Sequence, residues 1–321
     1  MTSRRLAILS LLTAAAAAGC GVVADRRATA RAEEAVADFP PTGRILTVGG
    51  RRIHADTRGR GPDVVLLHGA GGNTRDMTFS LADRLAREFR VTAFDRPGLG
   101  HSDDLGEAGV NPAGQARALR AAAAQIGIRR PVVVGHSYGA AVAMGWALEA
   151  PAETAAVVSL AGATMPWPGT LGPFYRIAAS DFGGATVVPL LAAFVSEDRA
   201  EDVVARIFRP DPVPAGYVDY VGAPLTLRAD VLRANARQVN GLKPYLQAMS
   251  ALYPDLRLPV EILHGSADRT VGLAIHSEPL SRVLPNANLV VLPGVGHMPH
   301  HAREAETVGA IRRAARRAGL R

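Results

Sequence analysis

Cysteine and lysine are almost absent from this chain of 321 residues, and each scarcity excludes a class of protein. The single cysteine, Cys20, cannot form an intramolecular disulfide, so a packed core must stabilise the fold. Lys243 is the only lysine, and the net charge of +7 comes from arginines that are spread along the chain. Nucleic-acid-binding proteins cluster their cations among stacking aromatic residues, which make up only 5% of this sequence. We therefore expect neither a disulfide-stapled domain nor a nucleic-acid partner.

The composition is that of one large globular domain. Hydrophobic residues make up 48% of the chain and charged residues 20%, while 33 glycines and 22 prolines suit many tight connections. Short apolar runs predict strands near residues 63–67, 90–94, 131–135, 156–161, 259–264 and 288–292, after a hairpin at 44–57 that turns at Gly49-Gly50. Helical segments between these strands predict a mostly parallel sheet covered on both faces, with the hairpin as its antiparallel edge.

The most informative motif is the sequence GHSYG at residues 135–139. A run of β-branched residues precedes it, and a helix of small and apolar residues follows it. In a G-x-S-x-G frame the serine lies in a sharp, strained turn between strand and helix, where side chains at Gly135 and Gly139 would clash. The helix N-terminus also directs N–H groups and partial positive charge toward the serine. This pattern predicts that Ser137 is a nucleophile.

A serine hydroxyl becomes a good nucleophile when a histidine takes its proton and a carboxylate orients that histidine. Asp268 follows a predicted strand in the run HGSAD, and His297 follows the last predicted strand in the run PGVGHMPHH. Both therefore lie beyond strand C-termini, the edge at which open α/β sheets bind their ligands. Asp95, which also follows a strand, is a rival for the role of the acid. The chain order predicts a triad of Ser137, Asp268 and His297.

Together, these motifs resemble those of α/β-hydrolase-fold enzymes, the group of esterases, lipases, haloperoxidases and C–C bond hydrolases. The motifs are HGAGG at 68–72, DRPGLGHSD at 95–103, GHSYG at 135–139, HGSAD at 264–268 and GHMPHH at 296–301. The resemblance implies an α/β-hydrolase fold, a mostly parallel eight-stranded sheet flanked by helices, with a helical cap inserted after strand 6. It also implies an oxyanion hole made by the backbone N–H groups of Ala70 and Tyr138. It favours a structural role for Asp95.

The N-terminus predicts export from the cytoplasm. Two arginines precede a 14-residue apolar stretch at residues 6–19, as in the n-region and h-region of a secretory signal. Cys20 follows directly, and the arrangement resembles a bacterial lipoprotein signal, in which the cysteine is lipidated. We expect a lipoprotein anchored to the membrane of the cell envelope. Cleavage after Ala24, which would give a periplasmic or secreted protein, and an uncleaved anchor remain alternatives.

The middle of the chain interrupts the alternation of strands and helices. Residues 163–255 are rich in proline and aromatic residues, and their position matches the family's cap, which excludes water and lines the substrate pocket. The predicted segments are a signal at 1–24, a tether at 25–41, an α/β-hydrolase core at 42–162 and 256–321, and a helical cap at 163–255.

The expected function is hydrolysis of a small-molecule carboxylic ester by a serine hydrolase, through an acyl-enzyme and without metal or organic cofactor. Haloalkane dehalogenases and epoxide hydrolases of this fold carry an aspartate at the nucleophile position, so the serine at residue 137 argues against both activities. Three alternatives remain open. The same triad would serve a cofactor-free haloperoxidase or acyltransferase, or a C–C bond hydrolase. A receptor-like protein that binds its ligand would keep the fold and the triad but turn over slowly.

Overall fold

A computed structural model describes residues 21–320 of the chain. The apolar stretch at 6–19 and Cys20 lie outside the described residues. The strands are β1 (Arg44–Val48), β2 (Arg51–Arg58), β3 (Asp63–Leu67), β4 (Arg90–Phe94), β5 (Val132–His136), β6 (Ala156–Leu160), β7 (Val260–Gly265) and β8 (Ala287–Leu292). They form one eight-stranded sheet in the order β1-β2-β4-β3-β5-β6-β7-β8.

The sheet confirms the predicted architecture. The pairs β1–β2 and β2–β4 are antiparallel, and every other neighbouring pair is parallel. Gly49 and Gly50 both have positive φ, 55° and 75°, which the two-residue turn between β1 and β2 requires and which glycine adopts at little cost. The predicted strands lie within a residue or two of the observed ones.

Helices cover the sheet. The first, α1, is helical from residue 21 to residue 38. The others are α2 (Thr74–Thr78), α3 (Leu81–Leu85), α4 (Glu107–Val110), α5 (Pro112–Gln125), α6 (Tyr138–Glu149), α7 (Pro173–Ala179), α8 (Asp181–Phe194), α9 (Glu197–Phe208), α10 (Tyr217–Val221), α11 (Ala223–Thr226), α12 (Ala229–Ser250), α13 (Ser277–Val283), α14 (Pro299–Ala302) and α15 (Glu304–Arg317).

Alternate residues of the central strands build two separate cores. On β3, Val65 and Leu67 pack with α5 and α6 on one face of the sheet, while Val64 and Leu66 pack with α3 and α15 on the other. All five residues of β5 are buried, as expected for a parallel strand covered on both faces. Each fully buried Val or Leu side chain contributes about 1.5–3 kcal/mol, so this strand is a rigid base for the turn that follows it.

The insertion between β6 and β7 is helical throughout its regular structure. It contains α7 to α12, and the described residues of this segment form no strand. Its longest helix, α12, has 22 residues and packs against α7 and α8. The helical insertion that the resemblance implied after strand 6 is therefore present.

The segment that the sequence analysis assigned to a tether is largely helical. The small side chains of Ala24 and Ala28 pack against Ala192 and Ala193 at the end of α8. Arg31 Nη1 donates hydrogen bonds to the carbonyl oxygens of Ala192 (3.1 Å) and Val195 (2.8 Å), which the end of α8 leaves without helical partners. These contacts fix α1 on the cap.

The apolar helices of the cap are short. Within residues 21–320, no single helix has both the length and the hydropathy to cross a membrane. Only α7 and α8 taken together reach that length and hydropathy, and they are bent by 106° at their junction.

Candidate active site

Ser137 lies in the strained turn that the G-x-S-x-G pattern predicts. It follows β5 and precedes α6, with φ 51° and ψ −118°, a left-handed conformation that is costly for a residue with a side chain. A Cβ on Gly135 would lie 2.2 Å from the Gly139 carbonyl oxygen, and one on Gly139 would lie 2.3 Å from the Leu67 carbonyl oxygen. Only glycine fits at either position. The Ser137 N–H donates to the Leu160 carbonyl oxygen (2.9 Å), which ties the turn to the end of β6.

The structure brings Asp268 and His297 together. Asp268 follows β7, His297 follows β8, and the neighbouring strands place His297 Nδ1 2.7 Å from Asp268 Oδ2. The other carboxylate oxygen, Oδ1, accepts from the backbone N–H groups of Thr270 (2.8 Å) and Val271 (3.0 Å). Because a carboxylate accepts, His297 carries its proton on Nδ1 and leaves Nε2 free to take another.

A second histidine supports the same carboxylate. His264 Nε2 lies 3.2 Å from Asp268 Oδ2 and 2.8 Å from the Val271 carbonyl oxygen, while its Nδ1 lies 2.6 Å from Ser277 Oγ. Burial raises the pKa of Asp268, but hydrogen bonds from His264 and His297 outweigh it and hold that pKa well below its ordinary value. Asp268 is therefore a carboxylate at any pH near neutrality.

The backbone of His297 is held by the residue that precedes the serine. His136 Nε2 donates to the His297 carbonyl oxygen (2.9 Å). The His136 ring lies between those of His297 and His300, at centroid distances of 4.8 and 4.5 Å. Burial and the neighbouring histidines lower the pKa of His136 well below its ordinary value, so this ring is neutral. His136 therefore joins the serine turn to the histidine loop.

The glycine-rich loop after β3 lies against the same turn. A Cβ on Gly69 would lie only 3.2 Å from Ser137 Cβ, so a side chain at this position would crowd the serine. Within residues 21–320, no backbone hydrogen bond uses the N–H of Ala70 or that of Tyr138. The cap holds the far side of the loop, since Gly71 donates to Asn235 Oδ1 (2.7 Å) and accepts from Thr226 Oγ1 (2.7 Å).

Arg96, from the motif at 95–103, is fully buried behind this loop. Its guanidinium donates to the carbonyl oxygens of His68 (2.9 Å) and Gly69 (3.0 Å), and to the side-chain oxygens of two glutamines. These acceptors are all uncharged. The guanidinium carbon also lies 4.3 Å from the centroid of the Tyr138 ring. Burial lowers the pKa of Arg96 to about 10, so it remains a cation at neutral pH.

His68 has no free nitrogen with which to take part in a reaction. Its Nδ1 donates to the Gly69 carbonyl oxygen (2.9 Å), and its Nε2 accepts from the backbone N–H of Arg96 (3.0 Å). Both bonds require the neutral ring, which agrees with a pKa that burial lowers to about 4.

Asp95 binds a different histidine and different loops. Its Oδ2 lies 2.7 Å from His54 Nδ1 and accepts from the His101 N–H (2.8 Å), while its Oδ1 accepts from the Thr74 N–H (2.6 Å). Burial raises the pKa of Asp95, but His54 and these hydrogen bonds outweigh it and hold the pKa at about 2. The partner of His297 is thus Asp268, and Asp95 braces the strand-end loops.

One group of described residues has the composition of a metal site. The donor atoms of Asp76, His300 and His301 lie within 4.8 Å of one another. Here Asp76 accepts from His301 Nε2 (2.9 Å) and the Tyr217 hydroxyl (2.8 Å), with His300 Nε2 at 3.3 Å, so protein donors already surround its charge. Neither this group nor the roles of His136, His264 and Arg96 were predicted from the sequence. The position of these three residues inside the conspicuous motifs was the only sequence feature that pointed to them.

The chain is similar to known hydrolases in sequence and in fold. A pimeloyl-[acyl-carrier protein] methyl ester esterase from Vibrio vulnificus is 29% identical over 262 residues, which are 77% of this chain and 91% of the esterase. A 2-hydroxy-6-oxo-6-phenylhexa-2,4-dienoate hydrolase from a Rhodococcus species has a TM-score of 0.68 at 22% identity, over 85% of this chain and 100% of its own. A bacterial membrane phospholipase A has a TM-score of 0.64 at 22% identity, over 99% of each chain.

The two solved structures show the fold alone, because their sequences are distant. The family itself is shown by the sequence, since a model of the alpha/beta hydrolase family matches residues 64–310, from β3 into α15. That range includes the serine turn, the acid and the histidine. The chain belongs to the alpha/beta hydrolase family of enzymes.

Proposed function

We propose that the protein hydrolyses carboxylic esters, with Ser137 as the nucleophile, His297 as the general base and acid, and Asp268 as the group that orients His297. The observation that carries this proposal is the 2.7 Å contact between His297 Nδ1 and Asp268 Oδ2. The hydrogen bond from His136 to the His297 carbonyl oxygen ties this pair to the strained turn that holds the serine. The esterase from Vibrio vulnificus supports an ester as the substrate.

In this mechanism Ser137 Oγ attacks the ester carbonyl carbon while its proton passes to His297 Nε2. Asp268 stabilises the imidazolium that forms, and its low pKa keeps the carboxylate from taking the proton itself. When the tetrahedral intermediate collapses, His297 returns the proton to the leaving alcohol, and Ser137 holds the acyl group. A water then attacks the acyl-enzyme while it gives a proton to His297. As the second tetrahedral intermediate collapses, His297 returns that proton to Ser137 Oγ and the acid is released.

The negative charge of the intermediate would lie on the former carbonyl oxygen, between the N–H groups of Ala70 and Tyr138. Arg96 supports the two donors in different ways. Its hydrogen bond to the Gly69 carbonyl oxygen polarises the peptide group whose N–H belongs to Ala70, whereas its packing on the ring of Tyr138 holds that residue in position. Arg96 is therefore a positioning residue for the oxyanion site, placed behind it and away from the substrate.

We propose in addition that the protein is exported and remains attached to the cell envelope by its N-terminus. The apolar stretch at 6–19 followed by Cys20 supports this attachment, with lipidated Cys20 as the anchor. The structural similarity to a membrane phospholipase A over 99% of the chain is consistent with it.

A burst experiment tests the catalytic proposal. The purified protein is mixed with a p-nitrophenyl ester, and nitrophenol release is followed before steady state while intact mass is recorded. We expect a burst of one nitrophenol per active site and a transient increase in mass equal to the acyl group. Products formed with water, with hydrogen peroxide and with an added alcohol would distinguish hydrolysis from perhydrolysis and acyl transfer. Turnover of a vinylogous diketone in preference to every ester would contradict the proposal and favour C–C bond hydrolysis.

A further inference from the structure

The helix α8 directs a stripe of large apolar side chains away from the protein. Phe182, Leu190 and Phe194 are 78%, 46% and 55% exposed. With Thr186 they follow a four-residue spacing, which places them along one side of the helix. The opposite side buries Val188 and Ala192 in the cap. Full burial of a Phe or Leu side chain is worth about 1.5–3 kcal/mol, so covering this exposed stripe with an apolar partner would be favourable.

The start of α1 continues this surface. Ala24 and Ala28 pack against the last turn of α8, and the Arg27 guanidinium lies 5.2 Å from the Phe194 ring centroid. Arg27 Nε also donates to the Ala193 carbonyl oxygen (2.8 Å). Val22 and Val23, directly before Ala24, are both more than half exposed. The beginning of α1 is thus fixed beside the end of the stripe.

The sequence before α1 identifies the partner. Residues 6–19 are apolar and are followed by Cys20, so either a retained apolar segment or a lipidated cysteine would place lipid at residue 20. Residue 20 precedes Ala24 by four residues, and even a fully extended chain spans at most about 3.6 Å per residue, so the two lie within about 14 Å of each other. Because α1 is docked on α8 at Ala24, a membrane that holds residue 20 must lie close to Phe194.

We propose that Val22, Val23, Phe182, Leu190 and Phe194, here called the membrane face, rest on the lipid bilayer that holds the N-terminus. The proposal builds on the envelope attachment given above and adds the orientation of the enzyme. In this arrangement the apolar and aromatic side chains enter the boundary between headgroups and acyl chains. Arg26 and Arg27 on α1 then lie at the level of the anionic headgroups. Ala24 is buried in this arrangement, so a chain cleaved after Ala24 would lose a contact that holds α1.

Quenching by brominated lipids tests the contact directly. The full chain is purified in detergent and reconstituted into phosphatidylcholine vesicles with brominated acyl chains, as wild type and as the variants Phe182→Trp and Ile45→Trp. Ile45 is a matched control, because it is 41% exposed but lies on β1 at the edge of the sheet. Trp146 and Trp167 contribute the same background to all three proteins. We expect loss of fluorescence in Phe182→Trp beyond the wild-type level and no additional loss in Ile45→Trp.

Equal quenching of the two variants would overturn the proposal. A membrane face that instead binds a second copy of the chain would also overturn it. In that case the introduced tryptophan of Phe182→Trp would not be quenched by the bromolipid, and Phe182→Asp would convert a detergent-solubilised dimer into a monomer. Turnover of a water-soluble short-chain ester is measured on every sample. Absence of additional quenching in Phe182→Trp, in a sample that retains turnover, would refute the membrane face alone. Lipid contact without any turnover would refute the esterase proposal alone.

Discussion

The carboxyl edge of the sheet buries charged side chains, whereas the membrane face exposes apolar ones. At the sheet edge, the charged side chains of Asp95, Arg96 and Asp268 lie inside the protein. On α8, Phe182 and Phe194 lie outside it. Burial of a charge without partners costs several kcal/mol, and each of the three charges has at least two hydrogen bonds within the fold. The large apolar side chains of the α8 stripe remain about half or more exposed, although the Arg27 guanidinium lies over the Phe194 ring.

The two regions differ in where their interaction partners come from. The charges of the sheet edge are satisfied by loops that follow neighbouring strands, so their geometry exists before substrate arrives, as electrostatic preorganisation requires. The apolar stripe of α8 is complete only against something outside the chain. Substitutions at the edge should therefore change turnover or folding, whereas substitutions on the membrane face should change only where the enzyme resides.

The largest expected effect is that of Ser137→Ala. Loss of the nucleophile should lower turnover about a million-fold, as in a serine protease that loses its nucleophile. Steady-state hydrolysis of a soluble ester measures the loss, and circular dichroism checks the fold. Lipid quenching of the same variant carrying Phe182→Trp should be unchanged. Residual activity above a few per cent of wild type would contradict the assignment of Ser137.

Next in size is Asp268→Asn, matched with Asp95→Asn as the control for a buried strand-end carboxylate. An amide at Asp268 would favour the wrong His297 tautomer, and the corresponding change in a serine protease lowers kcat about 10⁴-fold. Asp95→Asn should retain kcat but unfold at lower temperature, because Asp95 accepts from His54 and from two loops. The assignment of roles would be reversed by an inactive, folded Asp95→Asn together with an active Asp268→Asn.

A smaller effect is expected for Arg96→Met. A hydrogen bond from a charged group is worth about 1.5–3 kcal/mol, so loss of the Gly69 contact should lower kcat about 10–100-fold with little change in KM. The matched control is Arg90→Met, since Arg90 pairs with Asp63 at the opposite edge of the sheet. Arg96→Lys should recover only part of kcat, because an ammonium cannot reproduce the planar fork. A rise in KM at unchanged kcat would contradict this positioning role.

The last expected effect is on stability at mildly acid pH and not on turnover. Burial lowers the pKa of His68 and of His276 to about 4, below the value of about 6.5 in an unfolded chain. Between these values the unfolded chain binds protons that the folded protein does not. The free energy of unfolding should therefore fall as the pH is lowered from about 6.5 to 4, by at most about 3 kcal/mol for each histidine.

Denaturant unfolding at pH 7.5 and pH 5 measures this dependence. His276→Gln should reduce the difference in stability between the two pH values, since the variant lacks one of the histidines that burial holds neutral. A wild-type protein that is equally stable at both values would show that these histidines are not held neutral.

The sequence predicted those parts of the molecule that depend on neighbouring residues. The period of the apolar runs gave the strands, and the glycines around Ser137 gave the turn, because clashes there involve residues close in the chain. The contacts of Arg96 and His136 depend on loops that are far apart in sequence and meet only in the folded protein. The tether predicted at residues 25–41 is helical as far as residue 38. This helix was missed because α1 packs through alanines, whose small side chains give little apolar periodicity.

The most direct test of the central claim is labelling of the full-length protein with a fluorophosphonate, followed by mass-spectrometric mapping of the adduct. A fluorophosphonate reacts with a serine that an adjacent base activates and whose oxyanion site accepts the phosphoryl oxygen. We expect a single adduct on Ser137, and we expect it to be absent from Ser137→Ala and Asp268→Asn. A folded protein that forms no adduct, or forms it on another residue, would contradict the account and favour a protein that binds its ligand without turnover.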